Sequence, residues 1–288
     1  MHPITLDDHV FILELLNSEG WLQFIGDRKV HSAEDAVQYI QRLIDSAHIE
    51  YWVARLQNGK TPIGVVTFIK RPYLPYHDIG FAFLPAFAGQ GYAHEATQAI
   101  LLHNIEIEAH AHILAFTIPA NTRSIQLLKK LGLEFEKEIE INQEQVDVYG
   151  ASADQVCITA ITQSFFGAFT NKAGQEPGLR TLHQLCILQA QIIKKTPDDE
   201  VIDDITSFII PREKILTDGT LVEFEEKEIH ATTTIAGHIA QRYSEYEKKG
   251  ILNGNPFTQR GYKLFQFIKT GGKWKISSVL WEDQTDGH

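Results

Sequence analysis

Cysteine is scarce in this sequence. Its 288 residues include two, Cys157 and Cys186, and their spacing matches neither a metal site nor a redox pair. This scarcity argues against a disulfide framework and predicts a reducing, cytoplasmic environment. No apolar run reaches the roughly 18–20 residues that span a bilayer. The N-terminal residues have neither the basic region nor the apolar core of a secretory signal, so we expect no membrane association.

Basic residues are outnumbered by acidic ones. The chain has 26 Lys and Arg against 37 Asp and Glu, a formal net charge of −11. Residues 1–150 hold 11 basic and 19 acidic side chains, and residues 151–288 hold 15 and 18. Neither part predicts the basic face of a nucleic-acid-binding protein. An acidic surface instead favours cationic partners such as amines or basic proteins.

The pattern of helices and strands changes near residue 150. The length suggests two domains, and 43% hydrophobic residues is the proportion of an ordinary folded protein. Helical and strand patterns alternate over 1–150, whereas helices precede a long antiparallel meander over 151–288, which predicts an α+β domain. In the second part we predict helices at 151–169, from 179 to about 190 and from 197, strands at 221–228, 229–246, 261–269 and 273–281, and a loop at 248–255.

The most informative local pattern is a strand, a glycine turn and a helix. The predicted strand 78–84 precedes Gly89-Gln90-Gly91, and a helix follows from about 94 to 108. Glycine lets the turn bend tightly and lets a ligand approach the backbone. Amides at a helix N-terminus favour negative charge, so a pyrophosphate is the expected guest. The alternative is that the two glycines only start a helix after a strand.

A second motif follows about thirty residues later. It runs Asn121-Thr122-Arg123-Ser124-Ile125-Gln126-Leu127-Leu128-Lys129-Lys130-Leu131-Gly132. With the glycine turn, and with segments 21–28 and 61–64, it resembles the GNAT acyl-CoA N-acyltransferase family over residues 4–150. The nearest branch is the ribosomal-protein-alanine-acetyltransferase-like one.

This resemblance implies a fold and a cofactor site. The fold is a mixed, mostly antiparallel central sheet flanked by helices in a domain over 1–150. The co-substrate is acetyl-CoA, the acceptor is a small-molecule or protein amine, and no metal is required. The implied coenzyme residues are Gly89, Gln90, Gly91, Tyr92 and Ala93 for the pyrophosphate, and Phe81, Ala82, Phe83 and Asn121 for the pantetheine arm.

The chain departs from the family pattern at three places. Ala88 stands where the phosphate turn often begins with Arg, Gln or Trp. Leu128 stands where many members carry a Tyr acid, which leaves Ser124 as the candidate acid for the departing thiolate or as a serine bonded to helix backbone. The family's first strand is also missing, so a sheet edge is expected to be open or covered.

The sequence does not identify the general base. Asp78, at the start of the central strand, could reach the cleft directly or through water; the alternative is a strand-end carboxylate in solvent. Glu138 and Glu140 are weaker candidates on a strand rich in Glu. The histidines His103, His110 and His112 lack a third ligand signal for a metal site.

The second part resembles the SnoaL-like, or nuclear-transport-factor-like, cone fold over 152–288. Segments 261–269 and 272–282 carry the resemblance, which implies a curved sheet around an apolar cavity and, often, dimers. His230 and His238 share a strand face if no bulge intervenes, with surface or core histidines as the alternative. The candidate polar groups of the cavity are Arg212, His230, His238, Tyr243 and Trp281.

Three functions stay open. The first is an acetyl-CoA-dependent N-acetyltransferase whose second domain, 151–288, binds a ligand, recruits substrate or forms a homodimer. The second is a sensor that binds acyl-CoA without turnover. The third places the activity in the cone domain, as an isomerase or hydrolase acting on an apolar small molecule.

Overall fold

The computed structural model describes residues 1–108, 110–141 and 144–284. The chain forms two compact units, Met1–Val156 and Cys157–His288. In the described ranges, no helix has the length and apolarity that a membrane crossing requires. The first unit contains β1 (His2–Pro3), α1 (His9–Leu16), α2 (Glu19–Phe24), α3 (Ala33–Ile44), β2 (Ile49–Arg55), β3 (Pro62–Ile69), β4 (Asp78–Phe83), α4 (Tyr92–Glu108), β5 (His112–Thr117), α5 (Thr122–Lys130), β6 (Glu134–Ile141) and β7 (Glu144–Ser152).

The first unit is a seven-stranded sheet with helices on both faces. The strand order is β1-β2-β3-β4-β5-β7-β6, and β4–β5 is the parallel pair among antiparallel ones. Alternate residues of the strands face opposite sides. Val53 and Val65 pack with α1 and α3 on one side, while Val66 and Phe68 pack with α4 and α5 on the other. This is the mixed, mostly antiparallel sheet that the resemblance implied.

The expectation of a missing first strand is wrong. Residues His2 and Pro3 pair with Trp52 and Val53 at the edge of the sheet. Arg55 holds this edge, because its Nη2 donates to Asp8 Oδ1 at 2.5 Å and its Nε bonds His2 Nε2 at 2.6 Å. Two residues are too few for an alternating pattern, so the strand gives no periodic signal.

The second unit has a six-stranded sheet. Its elements are α6 (Ala153–Gly167), within which the unit boundary falls, α7 (Leu182–Leu185), β8 (Cys186–Lys195), β9 (Glu200–Asp204), α8 (Ile205–Thr217), β10 (Leu221–Ala236), β11 (Ile239–Leu252), β12 (Asn255–Thr270) and β13 (Lys273–Asp283). The strand order is β10-β11-β12-β13-β8-β9. The pair β13–β8 is parallel, and the other pairs are antiparallel.

Two predicted helices of this unit are wrong. The chain is helical only to Leu185 and then forms β8, and β9 stands where a helical turn was predicted after Pro197. Burial of Cys186, Ala190 and Ile192 has the even spacing of a strand. β8 lies between β13 and β9, so pairing with β13, which is distant in sequence, and with the adjacent β9 overrides the helical propensity of its residues.

The hairpins of the meander also differ from prediction. The predicted loop 248–255 is mostly strand, because β11 continues to Leu252 and pairs with both neighbours along this stretch. The turn is instead Asn253-Gly254, with φ of 50° and 79°. Positive φ at both central residues fits the twist of a two-residue hairpin. Gly271-Gly272, which separates the predicted strands 261–269 and 273–281, forms the next turn with φ of 58° and 78°.

Aromatic side chains form the core of the second unit. Phe165 and Phe166 on α6 meet Phe265 on β12 at ring-centroid distances of 5.1 and 5.8 Å. Phe265, Phe267 and Trp274 are buried. These aromatic residues of the meander therefore belong to the core of the second unit.

Candidate active site

The central sheet of the first unit opens between its two parallel strands. The register of β4 and β5 contains a single residue pair, Asp78 with Leu114, and Leu114 N–H donates to His77 O at 2.9 Å. On its other edge, β4 pairs with β3 along its whole length, Asp78–Phe83. Beyond Asp78 the strands diverge, so the β5-facing backbone groups of β4 are available to an extended ligand.

The end of β4 is fixed by close packing against β3. A Cβ atom on Gly64 would lie 2.2 Å from Phe83 Cδ1, so the Phe83 ring rests directly on the Gly64 backbone. Gly80 is similarly crowded, since a Cβ there would lie 2.6 Å from Thr67 Oγ1. These contacts hold the predicted pantetheine strand, Phe81-Ala82-Phe83, in one position.

The predicted phosphate turn leads directly into α4. Gly89 and Gly91 have φ of 74° and 88°, which residues with a Cβ rarely adopt. Nothing lies within 4 Å of a Cβ placed on either glycine. Gln90 braces the turn by donating from Nε2 to Ala86 O at 3.0 Å. The space into which a side chain at either glycine would project therefore contains no protein atom.

The backbone amides at this turn suit an anion. The helical bond at the start of α4 runs from Glu95 N–H to Gly91 O at 3.1 Å, so the N–H groups of Tyr92 and Ala93 precede the helical ladder. Such amides, with the positive end of the helix dipole, bind phosphate groups. Of the five predicted pyrophosphate residues, Gly89, Gln90 and Gly91 form the turn, and Tyr92 and Ala93 are the first residues of α4.

The second motif starts α5. Asn121 is the N-cap, and its Oδ1 accepts from the Ser124 N–H at 3.1 Å. Both side chains are half-buried. Leu128 is 1% exposed and belongs to the core, so the position where many relatives carry Tyr has a packing role here. The cap fixes the backbone of Ser124 and leaves its hydroxyl to other partners.

Asp78 lies at the closed end of the β4–β5 opening. It is 3% exposed, so it is not a solvated strand-end carboxylate. Arg71 donates to both oxygens, from Nε to Oδ1 at 2.6 Å and from Nη2 to Oδ2 at 3.1 Å. Burial raises the pKa of Asp78 and outweighs the opposite effect of Arg71. Sequence reasoning missed this ion pair.

A histidine–carboxylate pair joins β5 and β6, the two strands that flank β7 in the sheet. His112 Nε2 is 2.7 Å from Glu136 Oε1, and the ring of Tyr76 lies 4.9 Å from that of His112. The described residues contain no group of three or more His, Cys, Asp or Glu side chains arranged to hold a metal ion. Glu138 and Glu140, the weaker base candidates, are exposed on β6.

The second unit contains a cavity of about 410 Å³. Of the predicted cavity groups, Arg212 and Trp281 line it, and His230, His238 and Tyr243 do not. A bulge lies between Glu228 and His230, and His238 lies in the turn after β10. The prediction that His230 and His238 share a strand face is therefore wrong. Both histidines are exposed.

Comparison with known proteins gives matches to the first part of the chain. A family model described as the acetyltransferase (GNAT) domain matches residues 1–134. The uncharacterized N-acetyltransferase YnaD of Bacillus subtilis (strain 168) is 31% identical over 125 residues, which are 42% of this chain and 72% of that protein.

Two solved structures illustrate the range of similar folds. The ribosomal-protein-S5-alanine acetyltransferase from Vibrio fischeri is 19% identical, with a TM-score of 0.48, over 53% of this chain and 92% of that chain. The spermidine N-acetyltransferase from Vibrio cholerae, in complex with CoA and spermine, is 17% identical, with a TM-score of 0.47, over 54% of this chain and 95% of that one.

Proposed function

The chain belongs to the GNAT acetyltransferase family, and from this premise we propose how its first unit divides the work of acetyl transfer. Members of the family use acetyl-CoA as co-substrate, so the chain is an acetyl-CoA-dependent N-acetyltransferase. Within the family we propose the ribosomal-protein-alanine-acetyltransferase-like branch, on the combination of the glycine turn with the helix that Asn121 begins.

Our assignment of the coenzyme residues rests on the opening between β4 and β5. An extended arm placed there would hydrogen bond to the backbone of Phe81, Ala82 and Phe83 as an added strand does. The turn at 89–93 continues from that strand and would hold the pyrophosphate on its amides. Asn121 would contribute its side-chain amide from the start of the helix that follows β5.

The chemistry requires two protons to leave the amine and one to reach the departing thiolate. A side-chain-type primary amine has a pKa of about 10 and a peptide amino terminus one of about 8, so either must lose a proton before its nitrogen attacks the thioester carbonyl. We assign that proton to Asp78, whose raised pKa is the direction a base near neutral pH needs. The new N–C bond forms as the C–S bond breaks. Ser124 donates its proton to the departing thiolate, and the second proton of the attacking nitrogen, which the amide cannot keep, restores the Ser124 hydroxyl.

The acceptor we propose is a cationic primary amine. Residues 1–150 carry eight more acidic than basic side chains, and the outer strand β6 exposes Glu134, Glu138 and Glu140. Such a surface attracts cations and raises their rate of encounter at low salt. Polyamines and the amino termini of basic peptides share this chemistry.

The test is thiol release from acetyl-CoA with a panel of amines. The panel contains spermidine, a basic peptide that begins with alanine, and the same peptide with a blocked N-terminus. We expect release with at least one of the first two, and slower release as salt is added. A neutral amine that reacts as fast as both cationic acceptors would contradict the proposed acceptor class.

A sensor without turnover is the competing function, and one contact favours it. Arg71 occupies both oxygens of Asp78, which suits an ion pair that holds the sheet more than a base that exchanges protons. Acetyl-CoA binding without thiol release for any amine would support the sensor.

For the second unit we propose the SnoaL-like cone fold and a ligand-binding role. The cavity supports this role, and the exposed positions of His230 and His238 argue against a histidine-dependent isomerase or hydrolase. Homodimer formation is the alternative role. Sedimentation of the full chain over a range of concentrations distinguishes a monomer that binds ligand from a dimer.

A further inference from the structure

The cavity of the second unit has apolar walls and a charged interior. Its aromatic side chains come from the helices and from the sheet: Phe165, Phe169, Phe208, Phe224, Phe257 and Trp281. Its volume of about 410 Å³ falls within the range of small-molecule sites. Aromatic walls of this kind favour a ligand with a flat or branched apolar body.

The charged side chains of this cavity are mostly cationic. Four cations and two carboxylates line it: Lys194, Arg212, Lys248, Lys263, Glu226 and Asp283. The whole chain has a net charge of −11, so this excess of positive charge runs against the composition. Low-dielectric walls concentrate the field of such charges and attract a ligand of opposite sign.

The two carboxylates are already engaged by lysines. Lys263 pairs with Glu226, and both side chains are at most 7% exposed. Asp283 accepts from Lys248 Nζ at 2.5 Å and lies 3.5 Å from Lys194 Nζ. Glu226 and Asp203 therefore act on the fourth cation only at a distance, and among the described residues neither forms an ion pair with it.

Arg212 is that fourth cation. Its Nη1 donates to the backbone oxygen of Phe208 at 2.9 Å, and its guanidinium lies 3.7 Å from the centre of the Phe208 ring. Among the described residues, no carboxylate forms an ion pair with it. Burial lowers the pKa of Arg212, but a guanidinium has five N–H donors and stays charged in proteins. Stacking fixes its plane and leaves the other donors for a planar anion.

A second, smaller pocket adjoins the cavity. It has a volume of about 230 Å³ and shares Lys194, Gln259 and Asp283 with the cavity. Lys195 lines this pocket as well. The charged lining of this pocket, two lysines and one aspartate, therefore also has an excess of positive charge.

We propose that the second unit binds an amphipathic organic carboxylate, with its apolar body between the aromatic walls and its carboxylate on Arg212. This inference rests on the proposed ligand-binding role of the unit and not on acetyl transfer. It adds the chemical class of the ligand, which neither the fold nor the acetyltransferase family provides.

The test compares an acid with its neutral isostere on the full chain. Naphthaleneacetate and naphthaleneacetamide share their apolar body and differ in charge, and phenylbutyrate and its amide are a second pair of different shape. Binding is followed by calorimetry and by tryptophan fluorescence, to which Trp281 of the cavity contributes. We expect at least one acid to bind about 10- to 100-fold more tightly than its amide.

Three variants at two positions of the same helix locate the anion. Arg212→Met should reduce the acid–amide preference to near unity, and Arg212→Lys should keep part of it. Lys214→Met is the matched control, because Lys214 is an exposed cation of α8 outside the cavity lining, and it should keep the full preference. Thermal melting of each variant shows whether it is folded.

Three results would overturn the proposal. They are equal affinity for acid and amide, an acid preference that persists in folded Arg212→Met, and no binding of any acid at millimolar concentration. Acetyl-CoA titrated into the same samples reports on the first unit separately, so failure of the proposed transferase function is distinguishable from failure of this inference.

Discussion

Gly91→Glu should abolish acetyl-CoA binding and leave the first unit folded. Gly91 has φ of 88°, and nothing lies within 4 Å of its Cβ position, so a new side chain meets no protein atom. A residue with a Cβ in this conformation costs about 1–2 kcal/mol of stability. For a unit of this size, that cost lowers the Tm by roughly 2–8 °C.

The expected loss of affinity is much larger than the loss of stability. The new carboxylate would project in front of the amides that we assign to the pyrophosphate, and it would repel phosphate as well as block it. A hydrogen bond to a charged group contributes about 1.5–3 kcal/mol. Losing two of them removes about 3–6 kcal/mol, which is about 10²- to 10⁴-fold in Kd.

Gly26→Glu is the matched control for this experiment. Gly26 has φ of 92° and equally open surroundings, but it follows α2 and is not part of the phosphate turn. Calorimetric titration of acetyl-CoA and a thermal melt are run on the wild type and both variants. The reasoning is refuted if Gly91→Glu keeps wild-type affinity, or if both variants lose affinity equally while both remain folded.

Four further predictions concern single side chains. Asp78→Asn should lower kcat by about 10²-fold or more, since we assign Asp78 as the base. Arg71→Met should move the acidic limb of the pH–rate profile to higher pH, because Arg71 lowers the pKa of Asp78. An acidic limb that does not move would contradict the base role and leave Asp78 a positioning role. Ser124→Ala should lower kcat with little change in the KM for acetyl-CoA, and a change in KM alone would argue against the acid role. Burial raises the pKa of Asp283, but hydrogen bonds from a lysine and a tyrosine outweigh the effect of burial and lower the pKa overall. The stability that ionised Asp283 contributes at neutral pH is therefore lost as the pH falls through that lowered pKa. In denaturant unfolding, Asp283→Asn should lack this contribution to the acid dependence of stability. Phe265→Ala should destabilise the second unit by about 3–5 kcal/mol, since the ring is fully buried; a loss below about 1 kcal/mol in the same unfolding assay would contradict its core role.

Local patterns predicted the parts of the site that depend on local geometry. The glycines of the turn have the positive φ that their positions require, and Asn121 caps its helix as the motif implies. Ser32 and Asp35 likewise form a capping box at the start of α3, and their spacing of three residues is the local signature of that motif. Each of these features is decided within a few residues of chain.

Contacts between distant segments account for what the sequence did not predict. His112 and Glu136 are 24 residues apart and meet because their strands lie in one sheet. β8 is a strand because it pairs with strands that come after it in the chain, chiefly β13. Arg71 and Asp78 are close in sequence, but the residue types give no sign that the chain between them returns the guanidinium to the carboxylate.

The single residue pair between β4 and β5 has a mechanical consequence. It divides the seven-stranded sheet into two parts, β1-β2-β3-β4 and β5-β7-β6, which are joined by one residue pair, Asp78 with Leu114. A pantetheine arm in the opening would supply further backbone hydrogen bonds and so join the two parts. The co-substrate should therefore act as a brace: at a hundred times its Kd it would add about 2.7 kcal/mol to the stability of the folded unit, and amide hydrogen exchange along β4 should slow when it binds.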